Sequence, residues 1–286
     1  MVDDFSNDAL VLIAHGSTIN VQSSAPTRRL VEIIREQAIF AEVACAFRLE
    51  EPKITEVTDL VKSNRVFVTP ITISEGLFTE ETIPFDLGLC RKGECGCPVG
   101  QCNYPRERQI NGKKLIYCKP VGTHACMTDV LSAQARDIVR RHPFPCEPRP
   151  DETALIIAGH GTKKNGNSRK AIEAQVELIR ARGEYAEVLP AFMEETPLIS
   201  DCYKATQAKY IVMVPFFIAD GLHTVEDIPV LLGEPELRVK KCLEAKQPTW
   251  RNPTERKGKL VWYTEAIGNE PHLPEVILER VREVAH

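Results

Sequence analysis

Apolar residues along the chain fall into short unbroken runs separated by longer stretches in which they recur every three or four positions. Residues 9–14, ALVLIA, form one such run, a strand in length, closed by His15-Gly16-Ser17. Pro26 then suits the first turn of a helix, and Leu30, Ile33, Ile34 and Gln37 follow at helical spacing. Residues 42–47 alternate as a strand, and Pro52 opens a helix through Val57, Leu60 and Val61. Residues 65–69 and 114–118 read as further strands, and 127–140 as a closing helix. The order then recurs, with strands near residues 153–158, 186–192, 210–215 and 259–263, each followed by a helical stretch. Alternating strand and helix signals predict parallel sheets covered by helices on both faces, with ligands at the carboxyl ends of the strands.

The recurrence is a repeat in the strict sense. Residues 76–84, GLFTEETIP, and 221–229, GLHTVEDIP, share six of nine positions at an offset of 145. The same offset relates His15-Gly16-Ser17 to His160-Gly161-Thr162, Ala46-Phe47 to Ala191-Phe192, Pro52 to Pro197 and Pro70 to Pro215. Further on it becomes 146, pairing Gly122 with Gly268 and Val130 with Val276. A register held over about 115 residues marks a duplication. The expected organisation is a first repeat at 1–141 with an insertion at 85–112, a linker at 142–152 and a second repeat at 153–286. Four prolines in the linker, HPFPCEPRPDE, favour extended backbone.

Composition narrows the class. At 286 residues with 43% apolar and 27% charged side chains, the chain has the makeup of a soluble protein of two ordinary domains. A net charge of −4 argues against nucleic-acid binding. No run approaches the roughly 20 apolar residues of a membrane helix. The opening residues carry acids where a secretory signal needs Lys or Arg, so a cytoplasmic protein is expected. Ten cysteines in a reducing compartment point to metal ligation before disulfides. Cys45, Cys146, Cys202 and Cys242 are scattered and expected to be small buried hydrophobes.

Three features of the second repeat follow predicted strands: His160, the pair Glu194-Glu195, and His223. Adjacent parallel strands bring such positions to one crevice. Two neutral imidazoles and a carboxylate suit a borderline divalent ion with open coordination positions. The first repeat keeps His15 but has Phe78 at the place of His223 and Leu49 at that of Glu194. Losing both partners is what a copy released from chemistry would do.

The segments LIAHGS, AGHGT and PFFIADGLHTVEDIP resemble the class II tetrapyrrole chelatases, the sirohydrochlorin cobalto- and ferrochelatase family of cobalamin and siroheme synthesis. The resemblance spans both halves apart from the insertions. It implies two tandem doubly wound parallel-sheet domains of flavodoxin-like, chelatase type, and ATP-independent insertion of Co²⁺ or Fe²⁺ into sirohydrochlorin. His160 and His223 match the family's metal-handling histidines, and Glu194 best matches its acid, with Glu195 as the alternative. Sirohydrochlorin carries eight carboxylates. Lys163, Lys164 and Arg169 therefore stand as substrate-binding candidates beside Ser168, a candidate helix cap, with a solvated helix face as the plainer reading. The corresponding loop of the first repeat, residues 15–26, contains no Lys or Arg. The rival reading is a non-catalytic tetrapyrrole- or metal-binding protein of the same fold, and both a monomer and a homodimer are compatible with two fused repeats.

After the shared Ile-Pro, residues 85–112 and 230–258 form long insertions. The first contains Cys90, Cys95, Cys97 and Cys102 among three glycines. Four thiolates on such a loop can ligate a [4Fe–4S] cluster or a tetrahedral Zn²⁺, with Cys118 as a substitute member. The C-x4-C-x-C-x4-C spacing matches neither ferredoxin nor zinc-knuckle spacing. Some larger members of the family carry iron–sulfur clusters, which places iron ahead of zinc and plain thiols.

Overall fold

The computed structural model describes residues 4–18, 20–90, 104–161 and 166–285. Two five-stranded sheets have the same topology. In the first, β1 (Phe5–Ala14), β2 (Phe40–Phe47), β3 (Arg65–Pro70), β4 (Glu107–Ile110) and β5 (Lys113–Tyr117) lie in the order β2-β1-β3-β5-β4. In the second, β6 (Thr153–Gly159), β7 (Glu187–Phe192), β8 (Tyr210–Pro215), β9 (Thr254–Arg256) and β10 (Lys259–Tyr263) lie in the order β7-β6-β8-β10-β9. Four strands of each sheet are parallel, and the edge strands β4 and β9 are antiparallel to their neighbours.

The continuous apolar runs become the central strands. Every residue of β6 is buried, as are residues 8–14 of β1, because helices cover both faces and leave no polar side to the strand. Helix Ala25–Glu36 turns Leu30, Val31 and Ile34 inward, and helix Asn167–Arg182 turns Ile172, Val176 and Ile179 inward. Two corresponding cores result. One gathers Val11, Ile13, Val66 and Ile83, the other Ile156, Ala158, Ile211 and Ile228.

The compact units do not end where the repeats end. One comprises residues 1–124 with 273–286, the other residues 125–272. Helix Met127–Arg141, which follows the strands of the first repeat, belongs to the second unit. There Gln134 Nε2 donates to Glu265 O at 3.2 Å, and Trp262 Nε1 donates to His142 O at 2.9 Å. Helix Leu273–Arg282 completes the first unit, where buried Arg280 donates to Pro120 O at 2.9 Å and Thr123 Oγ1 at 2.6 Å.

Candidate active site

The second unit brings three predicted residues to the carboxyl edge of its sheet. β6 ends at Gly159, and His160 begins a turn whose next residue, Gly161, has φ +64°. A Cβ there would stand 2.8 Å from Glu195 Cγ and Oε1, so both the left-handed backbone and the close approach require glycine. β7 ends at Phe192, and Glu194 N donates back to His160 O at 3.2 Å, tying the second turn to the first. β8 leads into a π-helical turn, His223–Asp227, where Ile228 N reaches the carbonyl of His223. Such turns are rare and concentrate at functional sites.

The rings of His160 and His223 meet edge to face, with centroids 4.8 Å apart. Glu194 Oε1 lies 3.7 Å from His160 Nε2, beyond hydrogen-bonding distance. Two ligands each about 2.1 Å from a tetrahedral ion stand about 3.4 Å apart, so this gap is close to the bite of an ion. The side chains of His160, His223 and Glu194 are 34%, 47% and 59% exposed, which leaves the crevice open to a large ligand. Among the described residues no three His, Cys, Asp or Glu side chains are already gathered round one point. The pair and the neighbouring imidazole form an open edge rather than a closed cage.

Hydrogen bonds fix which nitrogen each ring presents. His160 Nδ1 lies 2.7 Å from Gly161 O, a group that only accepts, so Nδ1 carries the proton. His223 Nδ1 lies 2.7 Å from Asp227 Oδ2, with the same consequence for an ionised carboxylate. Both rings therefore keep their Nε2 lone pairs for a metal or a proton. Asp227 is a site residue that the sequence reading passed over. Its signal was present four residues after His223, where the first repeat has Thr82.

The first unit provides an internal control. His15 packs against Phe78 with centroids 5.0 Å apart, and Leu49 is exposed where Glu194 stands in the second. Glu50, the counterpart of Glu195, accepts from Ser17 N, Ser24 Oγ and Arg28. Partial burial works to raise the Glu50 carboxyl, but the Ser24, Arg28 and Ser17 donors hold it below the usual glutamate range. Arg28 also donates to Glu51 O and lies over the Phe47 ring at 4.6 Å. In the second unit Arg169 makes the matching contacts, to Glu195, to Thr196 O at 2.8 Å and over the Phe192 ring at 5.0 Å. It does so from a helix position one turn earlier, equivalent to Ser24 rather than Arg28.

A bracket present in both units belongs to the scaffold. Its geometry separates the two adjacent acids: Glu194 faces His160, whereas Glu195 lies under the turn, held by Arg169. The guanidinium of Arg169, placed by sequence among the substrate-binding cations, is engaged in this bracket and by Glu173 at 2.8 Å. Ser168 lies inside the first helical turn, the cap position being Gly166. Lys163 and Lys164 lie outside the described residues, as do Cys95, Cys97 and Cys102. Cys90 is described and buried. Cys118 is fully buried, and desolvation pushes its thiol up to about 12. Cys202 is buried as expected, while Cys45, Cys146 and Cys242 are only partly so.

Two like sheets, one of which presents paired imidazole nitrogens and a carboxylate at its carboxyl edge, define a duplicated α/β protein equipped to handle a divalent ion. The CbiX family pattern matches residues 9–138 and again 154–284, and the chain belongs to that family. A Halobacterium salinarum protein named as a probable sirohydrochlorin cobaltochelatase is 36% identical over 275 residues, covering 95% of this chain and 90% of the relative. A multi-domain Deinococcus radiodurans protein, described as structurally similar to chelatases with two additional novel domains, matches 96% of this chain at TM-score 0.75 and 25% identity. This chain spans 55% of that protein's length. SirB from Bacillus subtilis, solved with Fe³⁺, shares the fold at TM-score 0.65 and 16% identity, over 96% of this chain and 94% of SirB. Among the described residues, no helix is long and apolar enough to cross a membrane.

Proposed function

We propose that the protein is a sirohydrochlorin metal chelatase, inserting Co²⁺ or Fe²⁺ into the macrocycle in the cytoplasm, with chemistry confined to the second unit. The observation that carries this reading is the His160–His223 pair, each ring tied at Nδ1 and presenting Nε2. The metal ion enters as substrate on these nitrogens and the Glu194 carboxylate. As it passes to the four pyrrole nitrogens, two pyrrole protons leave, and the imidazoles and carboxylate freed of metal accept them. Protons and charge balance without ATP or a redox partner. Lys163 and Lys164 receive the carboxylate rim of the substrate, and Arg169 holds the turn beneath it.

The test is anaerobic incubation of sirohydrochlorin with Co²⁺ or Fe²⁺, followed by absorbance. Wild-type protein is expected to accelerate insertion, and His160→Ala or His223→Ala to abolish the acceleration with the fold retained. His15→Ala should cost at most a few-fold, since its ring faces Phe78 and Leu49 stands where the second unit has Glu194. Tetrapyrrole binding without turnover would make the protein a carrier instead. Loss of activity in His15→Ala equal to that in His160→Ala would overturn confinement to one unit.

We further propose that Cys90, Cys95, Cys97 and Cys102 hold a [4Fe–4S] centre, the four thiolates matching its ligand number. Such a centre would supply structural or redox control, and metal insertion at the histidines proceeds without it. Protein purified under argon should contain iron and acid-labile sulfide in equal amounts. Zinc without sulfide would make the segment a structural knuckle, and neither would leave plain thiols.

A further inference from the structure

We infer that Asp227 is a positioning residue for the metal-delivering imidazole: by accepting from Nδ1 it holds His223 in the tautomer whose Nε2 lone pair faces the crevice. The inference rests on the chelatase reading and assigns it a residue outside the ligand set. A neutral imidazole free in water prefers its proton on Nε2, which would turn a donor rather than a lone pair toward an incoming cation. An ionised carboxylate 2.7 Å from Nδ1 reverses that preference. The turn supplies the geometry. His223 and Asp227 open and close the same π-helical turn, so the two side chains come together one above the other.

The first unit shows that this turn does not need the pair in order to form. Phe78–Thr82 is also π-helical, and Thr79 Oγ1 closes on Gly76 as Thr224 Oγ1 closes on Gly221. The Ile-Pro behind the turn is the same, and Tyr117 and Tyr263 each donate to the carbonyl of the corresponding threonine at 2.7 Å. Three positions differ: Phe78 replaces His223, Glu80 replaces Val225 and Thr82 replaces Asp227. An aspartate required by the backbone would be expected in both turns. It stands only where there is an imidazole to orient.

His160 reaches the same end by another route, its Nδ1 donating to a backbone carbonyl that no substitution removes. His223 has only a side chain for this, which makes its tautomer open to test. Removing the outer partner of a metal-binding histidine typically costs 10–100-fold in metal affinity.

The experiment compares Asp227→Thr, the residue this turn already accommodates in the first unit, with Asp227→Asn, whose amide oxygen still accepts from Nδ1. Long-range ¹H–¹⁵N spectra of the neutral imidazoles, with His223 assigned from a His223→Gln spectrum, read the tautomer directly. Titration with Co²⁺ alone reads affinity. Wild-type and Asp227→Asn proteins are expected to show the Nδ1–H form, and Asp227→Thr to move to Nε2–H with Co²⁺ affinity 10–100-fold weaker. In the insertion assay Asp227→Thr should raise the KM for metal while leaving that for sirohydrochlorin unchanged. A wild-type tautomer, or Co²⁺ affinity within two-fold of wild type, in folded Asp227→Thr would overturn the inference. Neither spectrum nor titration needs the tetrapyrrole. A chain inert toward sirohydrochlorin that still shifts its tautomer would therefore sink the function and leave the role of Asp227 standing.

Discussion

Arg169 shows how charge in a sequence differs from charge at a site. Its neighbours Lys163, Lys164 and Lys170 suggest a cationic rim, yet its guanidinium is engaged by two carboxylates, a carbonyl and the Phe192 ring. Arg28 does the same work in the first unit from one turn further along the helix, so residue-by-residue alignment of the repeats pairs Arg169 with Ser24 and hides the equivalence. His160, His223 and Glu194 were legible because each follows a strand in a motif the other repeat preserves or breaks. Asp227 was not, because an acid four residues from a histidine has meaning only once the turn between them is known. Substitution should divide the cations into two kinds. Arg169→Ala is expected to lower the melting temperature by about 2–4 °C and to reduce kcat, as the turn carrying Glu194 loosens, with little change in KM. Lys163→Ala with Lys164→Ala should raise KM for sirohydrochlorin and weaken its salt dependence, leaving kcat and melting temperature alone. A raised KM with unchanged melting temperature in Arg169→Ala would return that residue to the substrate rim.

At the scale of elements, the parallel strands were readable from apolar runs because a central strand buried on both faces has no polar alternation to lose. The edge strands were not. β4 and β9 have burial patterns with scarcely a buried residue, and both fell inside stretches taken for insertions. The turns that return them to β5 and β10 are two residues long, Asn111-Gly112 and Lys257-Gly258, all four with positive φ. Asn-Gly is a recognised signal for this kind of hairpin, while Lys-Gly is weak, so only the first had a cue strong enough to find. Pro52 was expected to open a helix, and Pro197 is its counterpart in the second repeat. Each instead precedes a short 3-10 turn, Ile54–Glu56 and Ile199–Asp201, leading into a single helical turn of four residues.

Over the whole molecule, the order of elements along the chain and their membership in compact units diverge at one kind of element, the closing helix. Periodicity located the first closing helix within a residue, 127–140 against Met127–Arg141, but it carries no information about which sheet an amphipathic face will cover. The two sheets are products of one duplication, and either would offer a suitable surface. Specific contacts decide it. Arg280 is buried in the first unit, where it donates to the Pro120 carbonyl and Thr123 hydroxyl and pairs with Glu283 at 2.8 Å. These groups were solvated before folding, and truncating the arginine strands a carbonyl in the interior. Arg280→Ala should therefore cost about 2–3 kcal/mol, as for the loss of buried hydrogen bonds to a charged group. The informative feature is where the loss falls. Although Arg280 stands at the end of the second repeat, hydrogen exchange should accelerate in β1, β3 and β5 and leave β6, β8 and β10 protected. Gln134→Ala, in the first repeat, should do the converse through its bond to Glu265 O, more weakly because a single neutral hydrogen bond is lost. Accelerated exchange in β6–β10 of Arg280→Ala, with β1–β5 unchanged, would mean that each helix closes its own repeat. Metal insertion by Arg280→Ala should then separate stability from chemistry. The proposed ligand set lies in the unit this substitution spares, so kcat at temperatures below the transition should remain close to wild type.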